Sequence, residues 1–507
     1  MTTLTIQNTP PAGPTQSPPQ ETPGAAPARG HLGHAIQRVL ILGGGFGGLY
    51  TARRLEKIFK NHEGVEITLI SRENYFLMTP FLFEAGSGVL EPRHAVTPLR
   101  RLFKKVRFVE AEVEHIDLES RTVLARHAPT TGGEQPYKLH FDHLVLALGG
   151  VTNRSLIPGS DNAIGFKTLG DAIFLRNTLI DLFERADVEE DPDERRRLLM
   201  LVIIGGGLVG VELVGELTEF IHTLLKSYPR IPREFVRLFL IEASTRILPE
   251  MDEELARFSA EALWKRGVSI LTNTQVASIE PRKVHLPAGV TVPGTRGEGD
   301  RQSTIEAQTI LLAAGIAANP LLAELPLEKA RNGRIKVDGF MRVPDHPGIW
   351  ALGDCAVIPD KNGKPYPPLA QHALREARVL GDNIAAVVHH PAGAAEPPQG
   401  LRPFEYQTMG MLAALGHYNG VGSIMNFRIK GFFAWWVWRT YYMLQMPRFE
   451  RKLRVILDWT VALFFHNDVV KLDLFGLEHP VRRARRDETP IDISRQRSSA
   501  QPSQTMQ

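Results

Sequence analysis

Two glycine-rich turns in the sequence have the spacing that binds the pyrophosphate of a dinucleotide. Both follow the pattern G-x-G-x-x-G, with Gly43, Gly45 and Gly48 in the first turn and Gly205, Gly207 and Gly210 in the second. The first glycine permits a tight turn, the second lets the backbone approach the pyrophosphate, and the third lets a helix pack closely on a strand. The phosphates then lie on free N–H groups at the helix N-terminus. The chain is therefore predicted to hold two dinucleotides.

Each turn lies between a predicted strand and a predicted helix, which is the context that the motif requires. Apolar runs rich in β-branched residues precede the turns at residues 39–42 and 201–204, and helical patterns follow them. After the first turn, a helix over about residues 49–60 and a strand over residues 66–70 complete a βαβ unit. These elements predict a parallel sheet beneath each nucleotide.

The ligand of the adenosine ribose in the first site stays open. An acid is expected where the second strand of the unit ends, but that position is Ser71, with Glu73 two residues further on. A serine hydroxyl can also form a hydrogen bond with a ribose. Ser71 is therefore included among the predicted cofactor contacts.

Two more apolar strands end in glycine turns of the kind found beside bound nucleotides. The first ends at Gly149, and an ordinary core strand followed by a turn explains it equally well. The second, residues 348–354, ends in Gly353 and Asp354. Asp354 can accept a hydrogen bond from a ribityl hydroxyl or cap the next helix. Because this strand lies so far along the chain, the first domain is predicted to be interrupted by the second and then to resume.

The second site has an acid where the first has a serine. Its second strand, over residues 236–241, ends in Glu242. A carboxylate there binds both ribose hydroxyls and repels a 2′-phosphate, so NADH is favoured over NADPH. Arg246 is close enough in sequence to keep NADPH as an alternative.

Glu212 lies two residues beyond Gly210, where a nicotinamide should arrive. We assign it to the first turn of the helix, where a negative charge benefits from the helix dipole. Two interpretations stand side by side: a group that handles protons or cofactor, and a surface acid stabilised by the dipole. A further strand, residues 309–315, ends in Gly315 and is predicted to close this domain against the nucleotide.

Composition excludes several classes of function. The 507 residues are enough for about three domains. With 59 basic and 56 acidic side chains the net charge is +3, which indicates no general affinity for nucleic acid. The single cysteine, Cys355, excludes a catalytic dithiol and an internal disulfide framework. No metal ligands are assigned, and no apolar run reaches the ~18 residues of a spanning helix.

The C-terminal region has the composition of a membrane-binding segment. Four of the six tryptophans fall here: Trp435, Trp436, Trp438 and Trp459. Such side chains favour the bilayer interface. Residues 409–424 are glycine-rich and carry Asn419-Gly420, which predicts a short hairpin before the aromatic region.

An amphipathic helix is predicted to follow the aromatic region. Its apolar stripe consists of Phe449, Leu453, Ile456, Leu457, Leu463 and Phe464, with Arg451, Arg454 and Asp458 on the other side. The cations assigned to anionic head groups are Arg448, Arg451, Lys452 and Arg454. The alternative is a helix that packs on its own domain or on a second copy of the chain.

Over residues 38–474 the sequence resembles the type II NADH dehydrogenases, single-chain FAD enzymes that pass electrons from NADH to a membrane quinone. The matching segments are the two glycine turns, residues 73–80 (ENYFLMTP), 91–93 (EPR), 353–354 (GD) and 370–373 (AQHA), and the aromatic tail. Relatives that reduce disulfides or oxidise sulfide need paired cysteines. The single cysteine disfavours both.

The resemblance implies a role for each matching residue. It assigns Gly43, Gly45, Gly48 and Asp354 to FAD, Gly205, Gly207, Gly210 and Glu242 to NADH, and Glu212 and Gln371 to the neighbourhood of the reacting rings. The predicted catalytic residues are Glu212 and Gln371. Further predicted cofactor contacts are Phe46, Gly47, Ser71, Thr79, Gly149 and Gly315.

One position departs from the family pattern. The segment usually reads Ala-Gln-x-Ala-x-Gln, whereas this chain has Arg375 in the last place. A guanidinium only donates hydrogen bonds and carries a fixed charge, whereas an amide both donates and accepts. Arg375 could polarise a quinone carbonyl, or form an ion pair on the helix surface near Glu376.

Together these features predict an α/β fold with two Rossmann-like dinucleotide-binding domains, one inserted in the other, and a C-terminal membrane-associating module. The predicted bounds are a disordered leader at 1–35, an FAD-binding domain at 36–165 and 314–400, an NADH-binding domain at 166–313, a module of hairpin and amphipathic helix at 401–480, and a disordered tail at 481–507.

The predicted function is NADH:quinone oxidation without proton pumping. The partners would be a membrane quinone and an anionic lipid surface, with a homodimer as an open alternative, and the location would be the cytoplasmic face of the cell inner membrane, held peripherally. Two alternatives are a soluble NAD(P)H reductase for an iron–sulfur protein, and a redox-sensing flavoprotein with little turnover.

Overall fold

The computed structural model describes residues 36–127, 136–290, 292, 304–390, 398–425, 427–465 and 468–471. The predicted leader at 1–35 and tail at 481–507 lie outside the described residues. The helices are α1 Phe46–Ile58, α2 Leu82–Ser87, α3 Leu169–Val188, α4 Pro192–Leu198, α5 Leu208–Ser227, α6 Glu253–Lys265, α7 Ala370–Val388, α8 Phe432–Gln445 and α9 Phe449–Phe464.

The first domain is built on a parallel five-stranded sheet. In spatial order its strands are Ile349–Ala351, His143–Leu146, Gln37–Leu42, Val65–Ser71 and Arg107–Glu110. The central strands are apolar because helices cover both faces of such a sheet. Ile349 pairs with Leu144, although the inserted domain lies between them in sequence. The prediction that the first domain is interrupted and resumes is confirmed.

The second domain repeats this architecture. Its parallel sheet has the order Ile164–Gly165, Thr309–Leu312, Met200–Ile204, Arg237–Ile241 and Val268–Leu271. Helix α5 begins directly after the second glycine turn, as α1 begins after the first. The fold is therefore the predicted pair of Rossmann-like domains.

Smaller sheets complete the two domains. They are Glu112–Asp117 with Thr122–Arg126 and Tyr137–His140, Ser278–Glu280 with Lys283–His285 and Thr304–Glu306, Tyr75–Leu77 with Val96–Pro98, Ile335–Lys336 with Ala356–Val357, and Gly150–Thr152 with Ile316–Ala318. The last pair joins the segment that leaves the first domain to the segment that returns to it. Two antiparallel strands thus connect the domains next to the cleft between them.

The C-terminal module consists of a three-stranded sheet and the helices α8 and α9. Its antiparallel strands are Gly410–Ala414, Gly420–Ile424 and Phe427–Lys430. The first two form the predicted hairpin, and the third was not predicted. The module packs closely on the second domain, since a Cβ at Gly215 of α5 would lie 2.6 Å from the Leu415 carbonyl carbon.

Helix α9 packs on the rest of the protein through the face that carries Val455, Asp458 and Trp459. The carboxylate of Asp458 lies 2.6 Å from His94 Nδ1 and accepts a hydrogen bond from the backbone N–H of Glu91 at 3.2 Å. The opposite side of α9 is apolar and exposed, with Leu457 54% and Phe464 78% accessible. The alternative in which the apolar stripe packs on its own domain is therefore wrong for this chain. In the described part of the chain no helix is long and apolar enough to cross a bilayer.

The cations assigned to lipid head groups are largely occupied. Arg448 donates to the carbonyl of Arg101 and Arg451 to that of Arg93, both at 2.9 Å. Lys452 donates to the carbonyl of Leu444 at 2.8 Å. These bonds hold α9 in place and leave further N–H donors on each cation, so their predicted contact with anionic head groups stays a prediction.

Candidate active site

The first glycine turn has the shape of a pyrophosphate cradle. Gly43 has a φ of +110°, and a Cβ there would lie 2.2 Å from the Ala147 carbonyl oxygen. A Cβ at Gly48 would lie 1.8 Å from the Gly43 carbonyl oxygen. At Gly45 a Cβ would meet nothing within 4 Å. The first and third glycines are thus required by packing, and the second faces open space, where a ligand would lie.

A cleft of about 350 Å³ opens from this turn. It brings together seven of the predicted cofactor contacts: Gly45, Phe46, Gly47, Thr79, Gly149, Glu212 and Asp354. Sequence reasoning missed Lys167, which also lines the cleft and whose Nζ lies 3.1 Å from Asp354 Oδ2. Ser71 lies apart from this cleft, at the strand end beside Gly44, where a Cβ would come within 2.7 Å of its hydroxyl.

The second glycine turn has the same geometry. Gly205 has a φ of +110°, and a Cβ at Gly210 would lie 1.8 Å from the Gly205 carbonyl oxygen. A Cβ at Gly207 would come within 3.1 Å only of Glu250 Oε1, the end of a flexible side chain. Gly315 has a φ of +69° and follows the strand Thr309–Leu312 of the same sheet. The required glycines are therefore in place for a second dinucleotide.

Glu242 lies beside the second turn, as predicted for a ribose ligand. Its two carboxylate oxygens accept hydrogen bonds from the backbone N–H groups of Gly206 at 2.6 Å and Ser244 at 2.7 Å. These bonds fix the carboxylate at the end of its strand. Arg246 donates to the carbonyls of Met251 and Pro249, which holds its guanidinium against the backbone.

Glu212 is buried rather than on the surface. It is the fifth residue of α5 and therefore lies beyond the first turn, where the helix dipole is strongest. Its Oε1 accepts hydrogen bonds from Trp438 Nε1 at 2.8 Å and from the backbone N–H of Ala414 at 3.0 Å. Burial raises the pKa of Glu212 to about 8. The interpretation as a dipole-stabilised surface acid is wrong, and the residue is part of the cleft lining.

Two more buried carboxylates near Glu212 were not predicted. Glu84 of α2 pairs with Arg439 of α8 at 2.8 Å, and both side chains are almost fully buried. Glu216 accepts a hydrogen bond from Ser87 Oγ at 3.1 Å, and burial raises its pKa well above the ordinary value. The spacing of Glu212 and Glu216 by four residues could have indicated a shared helix face. No local signal places Glu84 beside them.

The tryptophans of the module divide between the interior and the surface. Trp438 donates to Glu212, and Trp459 Nε1 donates to Glu84 Oε2 at 2.7 Å. Trp435 is also buried, whereas Trp436 is 51% exposed. Of the four tryptophans assigned to the bilayer interface, only Trp436 has an exposed ring, because the others cover the buried carboxylates and Arg439.

A second cavity, of about 370 Å³, lies between the cleft and the C-terminal module. It shares Phe46, Leu369 and Ala370 with the cleft, so the two spaces have a common wall. Its walls are mainly apolar, and α8 supplies Val437, Tyr441, Tyr442 and Gln445. An apolar cavity with a few polar groups is the usual form of a site for a small organic molecule.

Gln371 and Arg375 both line this second cavity. The Gln371 side chain is 3.4 Å from the Tyr406 hydroxyl and 3.4 Å from the Gly410 carbonyl oxygen. Arg375 donates to the Gln371 carbonyl at 2.8 Å, and its guanidinium lies 4.3 Å from the centre of the Tyr406 ring. Glu376 points elsewhere and accepts from the backbone N–H of Gly353 at 2.8 Å. The predicted surface ion pair near Glu376 is therefore wrong.

Comparison with known proteins agrees with this arrangement. Residues 37–377 match the pyridine nucleotide-disulphide oxidoreductase family, and residues 409–468 match the NDH2 C-terminal domain. The chain is 30% identical to the type II NADH:quinone oxidoreductase Ndh of Mycobacterium tuberculosis, over 88% of this chain and 90% of that one. It is 32% identical to the demethylphylloquinone reductase NdbB of Synechocystis, over 84% of this chain and 96% of that one.

A solved structure has the same fold. It is NDH2 from Plasmodium falciparum in complex with NADH, with a TM-score of 0.75 and 22% identity, covering 86% of this chain and 100% of that one. The present chain thus combines two glycine cradles, a cleft between them and a matching C-terminal domain. The chain belongs to the pyridine nucleotide-disulphide oxidoreductase family and, within it, to the type II NADH:quinone oxidoreductases.

Proposed function

We propose that the protein oxidises NADH with FAD as its bound cofactor and delivers the two electrons to a quinone in the apolar cavity. The observation that carries this assignment is the shared wall of cleft and cavity, formed by Phe46, Leu369 and Ala370. A cofactor ring in the cleft and an acceptor in the cavity would meet at that wall. We also propose that residues 36–165 and 314–400 bind FAD and that residues 166–313 bind NADH, as the sequence predicts.

The first cradle fits FAD, because its packing requires two glycines and leaves open space at Gly45 for the pyrophosphate. Thr79, Gly149 and Asp354 would hold the rest of the cofactor along the cleft. When bound, FAD supplies the chemistry that joins a hydride donor to a quinone. The second cradle and Glu242 would bind the adenosine half of NADH.

Glu212 is proposed to hold a proton beside the reacting rings. With a pKa of about 8, its carboxyl group is mostly protonated at neutral pH. Its Oε1 is fixed by Trp438 and Ala414, and the group borders the cleft. Gln371 is proposed to orient the acceptor, since its amide is held between Tyr406 and Gly410 on the cavity wall.

The exposed apolar side of the module is proposed to lie in a lipid surface. Large apolar side chains of α8 and α9 are exposed together: Phe432, Phe433, Trp436, Leu444, Phe449, Leu453, Ile456, Leu457, Val461, Leu463 and Phe464. Burying such a face in the interface would stabilise peripheral attachment and bring the cavity next to the quinone pool. We place the protein on the cytoplasmic face of the cell inner membrane, where NADH is available.

The test is anaerobic mixing of the purified yellow protein with NADH, followed by a quinone. We expect NADH to bleach the flavin absorbance and the quinone to restore it. Restoration only by an iron–sulfur protein would favour the soluble NAD(P)H reductase. No reoxidation by either acceptor would favour the redox-sensing flavoprotein. Gln371→Ala should slow the quinone step more than the NADH step, and equal slowing of both steps would contradict the placement of Gln371.

Attachment is tested separately with vesicles of anionic and of neutral lipid. We expect the protein to float with the vesicles, whether it is a monomer or a dimer in detergent. A detergent-resistant dimer that ignores vesicles would show that a second copy covers the apolar face instead.

A further inference from the structure

Among the described residues, a single formal charge lines the apolar cavity. Among the described residues that line it, Arg375 is the only ionised side chain, and no carboxylate lines the cavity. His372 lies three residues before Arg375 on the same helix and contacts the rings of Tyr366 and Tyr406. Burial lowers the pKa of His372 to about 4, so it stays neutral. The guanidinium of Arg375 therefore sets the sign of the potential in this space.

The guanidinium is held in place without being neutralised. One Nη1 proton goes to the carbonyl of Gln371, and the face of the group lies over the Tyr406 ring. In the described part of the chain no carboxylate forms an ion pair with Arg375, and its neighbour Glu376 is turned towards Gly353. An arginine has five N–H donors, so most of them remain for a ligand.

We propose that Arg375 makes this cavity selective for negative charge on the acceptor oxygen, and so stabilises the charge that builds up there as the quinone is reduced. The inference rests on the proposed function and assigns it a residue specific to this chain. A fixed cation with low surrounding polarity stabilises such charge far more than a cation in water does. The glutamine usual at this position would supply only a neutral donor.

The reaction balances without a proton from Arg375. NADH, a quinone and one proton from water give NAD⁺ and a quinol, so the quinone gains two electrons and two protons. One of these protons derives from the hydride and the other from water. Because a guanidinium does not release its proton in a protein, both protons must reach the quinone oxygens through other groups. Arg375 therefore acts on charge alone.

Binding of two probes to the oxidised, FAD-loaded protein tests this without turnover. The probes are 2-hydroxy-1,4-naphthoquinone, which is an anion at neutral pH, and the uncharged 2-methyl-1,4-naphthoquinone, each measured by equilibrium dialysis. We expect Arg375→Met to weaken binding of the anion by about tenfold to a hundredfold, as for loss of a charge-assisted hydrogen bond. Binding of the uncharged probe should change less than about threefold. Arg375→Lys should retain part of the preference for the anion.

The matched control is Arg378→Met, which removes the same charge from an exposed position three residues further along α7. This substitution should change the binding of neither probe. Equal weakening of both probes by Arg375→Met would overturn the inference, because it would show a packing role only. Unchanged binding of the anion would overturn it as well. Arg375→Gln, which restores the residue usual in the family, gives a second folded variant in which the anion should again be weakened.

Kinetics separate this inference from the proposed function. In the anaerobic assay, Arg375→Met should slow flavin reoxidation by the uncharged quinone by about a hundredfold and leave reduction by NADH unchanged. If quinone fails to reoxidise even the unmodified protein, the proposed function is wrong. If it reoxidises the unmodified protein and the variant equally fast, only the role of Arg375 is wrong.

Discussion

Replacing Glu212 by glutamine should make the stability of the protein less dependent on pH. The pKa of Glu212 is about 8 in the folded chain, against an ordinary value of 4.5. Between these two pH values the folded protein keeps a proton that the unfolded chain releases. The free energy of unfolding therefore falls as pH rises through this window. Glutamine never ionises, so Glu212→Gln should remove this fall.

The size of the effect follows from the shift. Each pH unit inside the window is worth about 1.4 kcal/mol. At pH 7 the variant should thus be more stable than the unmodified protein by roughly 3 kcal/mol, and at pH 5 by less than about 1 kcal/mol. The amide oxygen can still accept from Trp438 and from the backbone of Ala414, so no buried donor loses its partner.

Urea unfolding followed by tryptophan fluorescence at pH values from about 5 to 8 measures this difference. The matched control is Glu219→Gln on the same helix, which breaks a partly exposed ion pair with Arg266. The control should cost no more than about 1 kcal/mol at any of these pH values. A stability gap for Glu212→Gln that stays constant with pH would refute the reasoning, because Glu212 would then carry the same charge throughout.

Three further substitutions test other parts of the structure. Gly48→Ala places a methyl group 1.8 Å from a backbone oxygen and should yield colourless protein, whereas Gly64→Ala, which meets nothing within 4 Å, should keep its flavin absorbance. Arg439→Met leaves a buried carboxylate unpaired and should cost about 3–5 kcal/mol in urea unfolding; Arg428→Met at the surface should cost less than about 1 kcal/mol. Leu457→Glu should weaken vesicle binding about tenfold or more in flotation assays while turnover with a water-soluble quinone persists; unchanged flotation would argue against α9 as the attachment surface.

The glycine turns could be located from the sequence because their constraint is local. The close contact of Gly48 with the Gly43 carbonyl lies within one turn of chain, and the spacing of the motif encodes it. Asp354 was predicted from the strand that ends at Gly353, and Gln371 through the resemblance; Asp354 lines the cleft and Gln371 lines the cavity. Their proposed roles remain predictions.

The buried carboxylates could not be predicted, because tertiary packing creates them. Glu84 and Glu216 are brought together by the contact of α2 with α5, which no periodicity records. In the same way, the period of α9 identifies its two faces but not which one meets the protein. Here His94 and the backbone of Glu91 provide partners for Asp458. The inner face is therefore a mixed one, formed by Val455, Asp458 and Trp459.

The pairing of Ile349–Ala351 with His143–Leu146 has a consequence for biosynthesis. After the strand His143–Leu146, a ribosome must translate roughly two hundred more residues before its partner Ile349–Ala351 is made. The inserted domain is continuous and can fold as a unit during that interval. The sheet of the first domain lacks its edge strand during that interval, and on the proposed role of Asp354 the flavin site would be complete only after translation has passed that residue.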